Sequence, residues 1–250
     1  MIELPAPGGS GTYCIDHTEV TNRQYADFLA TNPDINAQPA FCKSWNTTFQ
    51  PEALAGTDNC PSLASVYDLT NKAQNPVACI DWCDAYAYCK SVGKRLCGAF
   101  GGGAVAPGSG SDAQKDEWYA ACSAAGTLAF PYGNTFQPQA CNTLDFGQTG
   151  SVRVGLASTC TGTGLYDFLY DMSGNVAEWE DACAGSAGAS DVCYARGGFW
   201  NSYNPNPPSG TMTSAACNAT PTALGSVSAV SLTRARRSAE IGFRCCFDGK

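Results

Sequence analysis

YDMSGNVAEWEDAC, residues 170–183, carries five carboxylate or amide side chains, Asp171, Asn175, Glu178, Glu180 and Asp181, around a Ser173-Gly174-Asn175 turn. Glycine at 174 lets the backbone turn sharply, so carbonyl groups can point inward. The alternation that follows brings the Val176 carbonyl and the Glu178 side chain toward one point. Residues 171–178 contain neither histidine nor cysteine, which argues against zinc or copper and for a hard cation that takes six to eight oxygen ligands. A second reading needs no ion: Ser173-Gly174-Asn175 is a tight turn and Asp171 caps it.

Outward from this stretch, the chain alternates short periodic segments with turns. Thr21 opens a capping signature, and Tyr25, Phe28 and Leu29 then share a helical face. Residues 33–75 read as an irregular excursion. Within 76–97 the pattern predicts a short apolar strand and then a helix, N-capped by Asp81 and ended by Gly93. Residues 98–114, GAFGGGAVAPGSGSDAQ, lack the G-K-[ST] ending of a phosphate loop and read as a flexible insertion. A short helix is predicted over 115–126, and strands and turns from there to residue 250. The pattern predicts one loop-rich α+β domain spanning 1–250.

Composition narrows the function classes. Hydrophobic residues make up 44%, enough for a packed core. The net charge of −8, with 14 Lys and Arg, excludes a basic face fitted to nucleic acid. Fifteen cysteines occur with one histidine, His17, and no C-x-x-C pair. Zinc ribbons are thereby excluded and a disulfide framework is expected, which places the protein outside the cytosol. The odd count leaves at least one thiol unpaired or linking two chains. No run of about 18 apolar residues occurs, so no transmembrane segment is expected. An export signal, or a lipid anchor on the precursor, would lie upstream of Met1. A lone His17 reads as structural.

The segments TEVTNRQYADFL, PVACIDWCDAYAYCKSVGKRL, DEWYAACSAAG, FPYGNTF, DMSGNVAEWEDAC, RGGFWN and RSAEIGFRC, in this order, resemble the formylglycine-generating enzyme (sulfatase-modifying factor) family over about residues 13–247. The resemblance implies a variant of the C-type-lectin-like fold with little regular secondary structure. It also implies a structural calcium site in the opening loop, with Asp171 and Glu178 as side-chain ligands and Gly174 and Val176 lending carbonyls. A second site would use the Asn142 side chain and the Thr143 carbonyl, with Asp145 nearby. One disulfide, Cys122 to Cys245, is implied, and Cys246 is expected to take a separate partner.

The family's oxidase chemistry needs oxygen and a copper ion held by two cysteines shortly after a K/R-G-G-S motif. Here Phe199 stands in the serine position, and the thiolate positions fall near Ser202 and Pro207. The stretch FWNSYNPNPPSG holds no cysteine, so copper is not expected. Another branch of the family uses an iron site built from histidines in an additional domain, which this chain lacks. The leading expectation is therefore an exported, calcium-stabilised module that binds an extracellular protein, peptide or glycan. The expected surface comprises Trp200, Asn201, Ser202 and Tyr203 with Arg234 and Arg236. Variable proteins of related fold present their variable residues in the same frame, between R-G-G and I-G-F-R. Two alternatives stand beside it: an oxygen-dependent oxidoreductase acting on a cysteine-containing protein, in which Cys217 reaches the copper position, and a structural surface protein.

Overall fold

The structure is a computed structural model that describes residues 1–9, 11–52, 60, 62–106, 109–202, 215–219 and 232–249. Seven strands and four α-helices form among these residues: β1 (Ile2–Pro5), β2 (Thr12–Ile15), α1 (Asn22–Ala30), α2 (Ala40–Lys43), α3 (Trp82–Ser91), β3 (Arg95–Leu96), α4 (Glu117–Cys122), β4 (Ala177–Cys183), β5 (Cys193–Arg196), β6 (Ile241–Gly242) and β7 (Cys245–Asp248). They build two small sheets, β1-β2-β7-β3 and β5-β4-β6. The first is antiparallel throughout, so the N-terminal hairpin pairs with the C-terminal strand. In the second, β4 runs antiparallel to β5 and parallel to β6.

The capping signatures form as the sequence predicts. Thr21 accepts from the Gln24 amide while the Gln24 side chain accepts from the Thr21 amide, and Asp81 and Asp84 make the same reciprocal box on α3. Both helices lean on one aromatic core. Tyr25, Phe28, Tyr88 and Phe243 pack with ring centroids 5.3–6.4 Å apart, beneath Trp82 and Trp179. The apolar strand expected before α3 does not form. Residues 77–80 run extended until Cys79 turns at φ 59°, and their amides bond singly to Val20 and Ser238 carbonyls instead of to one ladder.

The glycine-rich segment 98–114 is packed, not a free linker, over its described residues. Val105 is buried and its amide donates to the Asp181 carbonyl, and Ala99 bridges Asp116. At Gly110 a Cβ would stand 1.7 Å from an Arg196 nitrogen, so a side chain there would have to displace that guanidinium.

Seven disulfides staple these short elements: Cys42–Cys83, Cys60–Cys79, Cys89–Cys245, Cys97–Cys246, Cys122–Cys217, Cys141–Cys160 and Cys183–Cys193. Cys14 alone is free and half-buried. The implied Cys122–Cys245 bridge is therefore corrected. Successive residues of β7 point to opposite faces of its sheet, so Cys245 meets Cys89 of α3 on one side and Cys246 meets Cys97 on the other. Cys122, on α4, lies instead against the 215–219 segment and bonds Cys217. Cys83 and Cys89, six residues apart on α3, take different partners, Cys42 and Cys245.

Candidate functional site

The opening loop sits at the junction of the two sheets. Asp171 and Asn175 both adopt left-handed backbone, each at φ 59°, a conformation that Asp and Asn tolerate better than most residues. Gly174 lies between them at φ 76°, and a Cβ there would stand 2.4 Å from the Asn142 carbonyl oxygen. The Gly174 amide donates to the Gly197 carbonyl at 2.8 Å, and the Trp200 amide donates to the Asn175 carbonyl at 3.1 Å. The loop and the RGGFWN segment thus hold each other.

Beneath the turn lies a buried polar network. Glu178, on β4, is gripped by Arg244: Nε reaches Oε2 at 2.6 Å and Nη2 reaches Oε1 at 2.7 Å. The indole of Trp118 on α4 donates to the same Oε2 at 2.8 Å. Arg244 also donates to the carbonyls of Asp16 and Tyr170. Asn175 links the rest, accepting from the Asn142 amide group and the Val152 amide and donating to Glu19. Asp171 accepts from the Gly155 amide at 2.6 Å, and its carboxyl interacts with that of Glu19. Burial, reinforced by Asp171, pushes the Glu19 carboxyl well above its usual range. Burial likewise pushes Asp171 up to about 6, against the pull of the Gly155 amide and Arg244.

Three of the six residues named as calcium ligands, Asp171, Glu178 and Asn142, fall inside this network, but not as a ready cage. Glu178 does not fit the role, because both of its oxygens are already satisfied by Arg244 and Trp118. The open oxygens are others: Asp171 Oδ1, Asn142 Oδ1, Thr143 Oγ1 and Glu19 Oε2 are all buried without a hydrogen-bond partner. These are hard donors of the kind a divalent cation takes. Gly174 and Val176 lie on the backbone turn beside them, whereas Asp145 is exposed. No cluster of three or more His, Cys, Asp or Glu fit to hold a metal occurs among the described residues. The sequence reading missed Glu19 and Arg244. Their only signal was their place in two of the quoted segments, TEVTN and GFRC.

Among the described residues, the expected ligand surface is not assembled. Arg234 is buried, sandwiched at 4.4 Å from the Phe41 and Trp82 rings and bonded to the Gly185 carbonyl and the Asp191 carboxylate. Arg236 is buried too, and Arg237 pairs with Asp81 and Asp84. Arg234 is therefore corrected from a ligand contact to a buried ion pair, and Arg236 from an exposed ligand contact to a buried side chain. Ser202 is fully buried and its hydroxyl accepts from the Phe199 amide. Trp200 is half-buried against the aromatic core, with its ring 6.1 Å from Phe199. Asn201 is half-exposed. Tyr203 lies outside the described residues. A second buried cluster sits under the 98–114 segment, where Arg196 bonds Glu180 at 2.8 Å beside Asp116. Burial pushes the Asp116 carboxyl up to about 6 despite that guanidinium.

Two short sheets, few helices, seven disulfides and a turn locked over a buried Glu–Arg pair define a disulfide-braced α+β module in which loops carry most of the surface. The chain belongs to the family of the sulfatase-modifying factor enzyme 1-like domain, which matches residues 10–248. A relative, the "inactive C-alpha-formylglycine-generating enzyme 2" of Mus musculus, is 25% identical over 75% of this chain. This chain spans 63% of that relative's length. Three solved structures share the fold. CarF has a TM-score of 0.56 and 18% identity, covering 96% of this chain and 87% of its own. PvdO from Pseudomonas aeruginosa has a TM-score of 0.51 and 17% identity over 95% and 80%. Treponema denticola variable protein 1 has a TM-score of 0.50 and 18% identity over 94% and 84%.

Proposed function

We propose that this protein is an exported, non-oxidase member of its family that works as a binding module for an extracellular protein, peptide or glycan. The cysteine inventory carries the reading. Fourteen of fifteen cysteines are consumed in disulfides, and Cys217, the one cysteine that follows the RGGFWN segment before the C-terminal strand, is bonded to Cys122. The remaining thiol, Cys14, sits on β2 in the other sheet. A soft copper ion needs a pair of thiolates, and one half-buried thiol does not supply it. A relative named inactive supports the same direction. Seven bridges suit an oxidising compartment, and no described helix is long and apolar enough to cross a membrane.

The same reading keeps a structural calcium ion beneath the opening loop, with a revised donor set. Asp171 and Glu19 supply the charge and Asn142 and Thr143 lie beside them, while Glu178 stays with Arg244. The ion's role would be to fix loops in a fold of short elements.

The decisive experiment is oxygen consumption by the copper-treated protein with a cysteine-containing peptide. No turnover, together with a single titratable thiol in the unfolded chain, is the expected result. Copper uptake with peptide oxidation overturns the reading.

A further inference from the structure

A pocket of about 270 Å³ opens far along the chain from the loop and the RGGFWN segment, between the end of α1, the 33–39 turn and the outer face of α3. Its floor and walls are apolar: Phe28, Phe49, Pro33, Tyr86 and Ala87. The walls are braced. Tyr86 stacks on Trp82 at 5.2 Å, the Phe28 and Phe49 rings pack at 5.6 Å, and the Cys42–Cys83 bridge ties α2 to α3. Such a cavity exists before any ligand arrives, which keeps the ordering cost of binding low.

The polar groups in the wall are mostly spoken for. Gln38 bonds the Ile35 and Asn46 carbonyls and the Asn46 side chain, and the Ser91 hydroxyl donates to the Tyr88 carbonyl. Two charges of opposite sign stay open at the exposed rim. The Lys90 ammonium lies 6.0 Å from the Tyr86 ring centre, and the Asp34 carboxylate uses one oxygen on the Asn36 amide. Neither forms an ion pair among the described residues.

We propose that this pocket binds a small zwitterion with an aromatic or bulky apolar side chain, of the class of free aromatic α-amino acids. The ring enters the Phe28–Phe49–Tyr86 cavity, the carboxylate meets Lys90 and the ammonium meets Asp34. A plain hydrocarbon would leave both charges unused, and a singly charged ligand would bring its own charge beside one of like sign. The inference does not rest on the proposed function, because it uses none of the residues around Gly198 and no thiol.

The test titrates the folded chain with L-phenylalanine by protein NMR, with phenylacetate, phenethylamine and L-alanine as comparisons. Saturable binding of L-phenylalanine is expected, with each comparison roughly tenfold weaker or more, the scale of one lost charge-assisted contact. Lys90→Gln should weaken L-phenylalanine and phenylacetate about tenfold and should not weaken phenethylamine, whose like-charged neighbour it removes. Asp34→Asn, which keeps the turn's side-chain acceptor, should show the mirror pattern. Ala87→Leu fills the cavity and should abolish binding of every ring-bearing ligand with the fold intact by circular dichroism. No saturable binding of L-phenylalanine overturns the proposal, as does equal binding by the Lys90→Gln and Asp34→Asn variants.

Discussion

Replacing Arg244 by methionine removes the cation that, among the described residues, faces three buried carboxyl groups, Glu178, Glu19 and Asp171. The side chain is 1% exposed and makes four polar contacts, two to Glu178 and one each to the Asp16 and Tyr170 carbonyls. Breaking a buried ion pair by deleting one partner costs about 3–5 kcal/mol, because the surviving charge stays desolvated. Arg244 also holds down the proton affinity of Glu19 and Asp171, so its loss makes both carboxyls still harder to ionise. Methionine fills part of the volume but leaves Glu178 with only the Trp118 indole. At pH 7 we expect a loss of about 4 kcal/mol, or a fall in Tm of roughly 8–16 °C for a chain of this size. Guanidinium chloride unfolding with the disulfides intact measures it. Adding Glu178→Gln to the variant should recover part of the loss, because a neutral amide is cheaper to bury unpaired than a carboxylate. An Arg244→Met variant less than about 1 kcal/mol weaker than the parent refutes a paired, desolvated guanidinium at this position.

Gly174→Ala forces a Cβ to 2.4 Å from the Asn142 carbonyl oxygen at φ 76°; the expected cost is about 2–3 kcal/mol, read as a lower denaturation midpoint. Asp116 should make stability pH-dependent. Its carboxyl is pushed by burial up to about 6, above the usual range for an aspartate, so the native state holds the proton more tightly. The contribution is full below about pH 4 and is lost as pH rises through 6, worth at most about 3 kcal/mol. Asp116→Asn, which can still cap the Tyr119 amide, should flatten stability between pH 4 and 7. An unchanged slope counts against the burial argument. Calcium should raise the parent's Tm at pH 7.5, and Glu19→Gln should abolish that rise if Glu19 replaces Glu178 as the second carboxylate donor. Cys14 should be the sole thiol labelled, and a monomeric band on a non-reducing gel rules out a chain-linking role for it.

Local features of the sequence were legible because their physics is local. Thr21 and Asp81 cap helices through side chains that reach only three residues on, and Gly174 answers a backbone need at its own position. The cysteine count required a bridge-rich fold with one leftover thiol, and the ordered segments pointed to the family. Partnerships were a different matter. Glu178 is satisfied by an arginine 66 positions away, Asp171 is faced by Glu19 from the opposite end of the chain, and Arg234 is stacked between Phe41 and Trp82. An exposed arginine strip and a buried one read identically in sequence, since the acidic and aromatic groups that draw it inward arrive from other elements. The same limit explains the disulfides: strand alternation sends Cys245 and Cys246 to two partners, but that alternation became visible only once β7 was in place, and the packing of α3 and α4 against the sheets chose Cys89, Cys97 and Cys217. Sequence alone determined where this chain turns, caps and cross-links in number. Tertiary structure decided which charges meet, because desolvation makes each buried ion depend on whatever distant segment is folded against it.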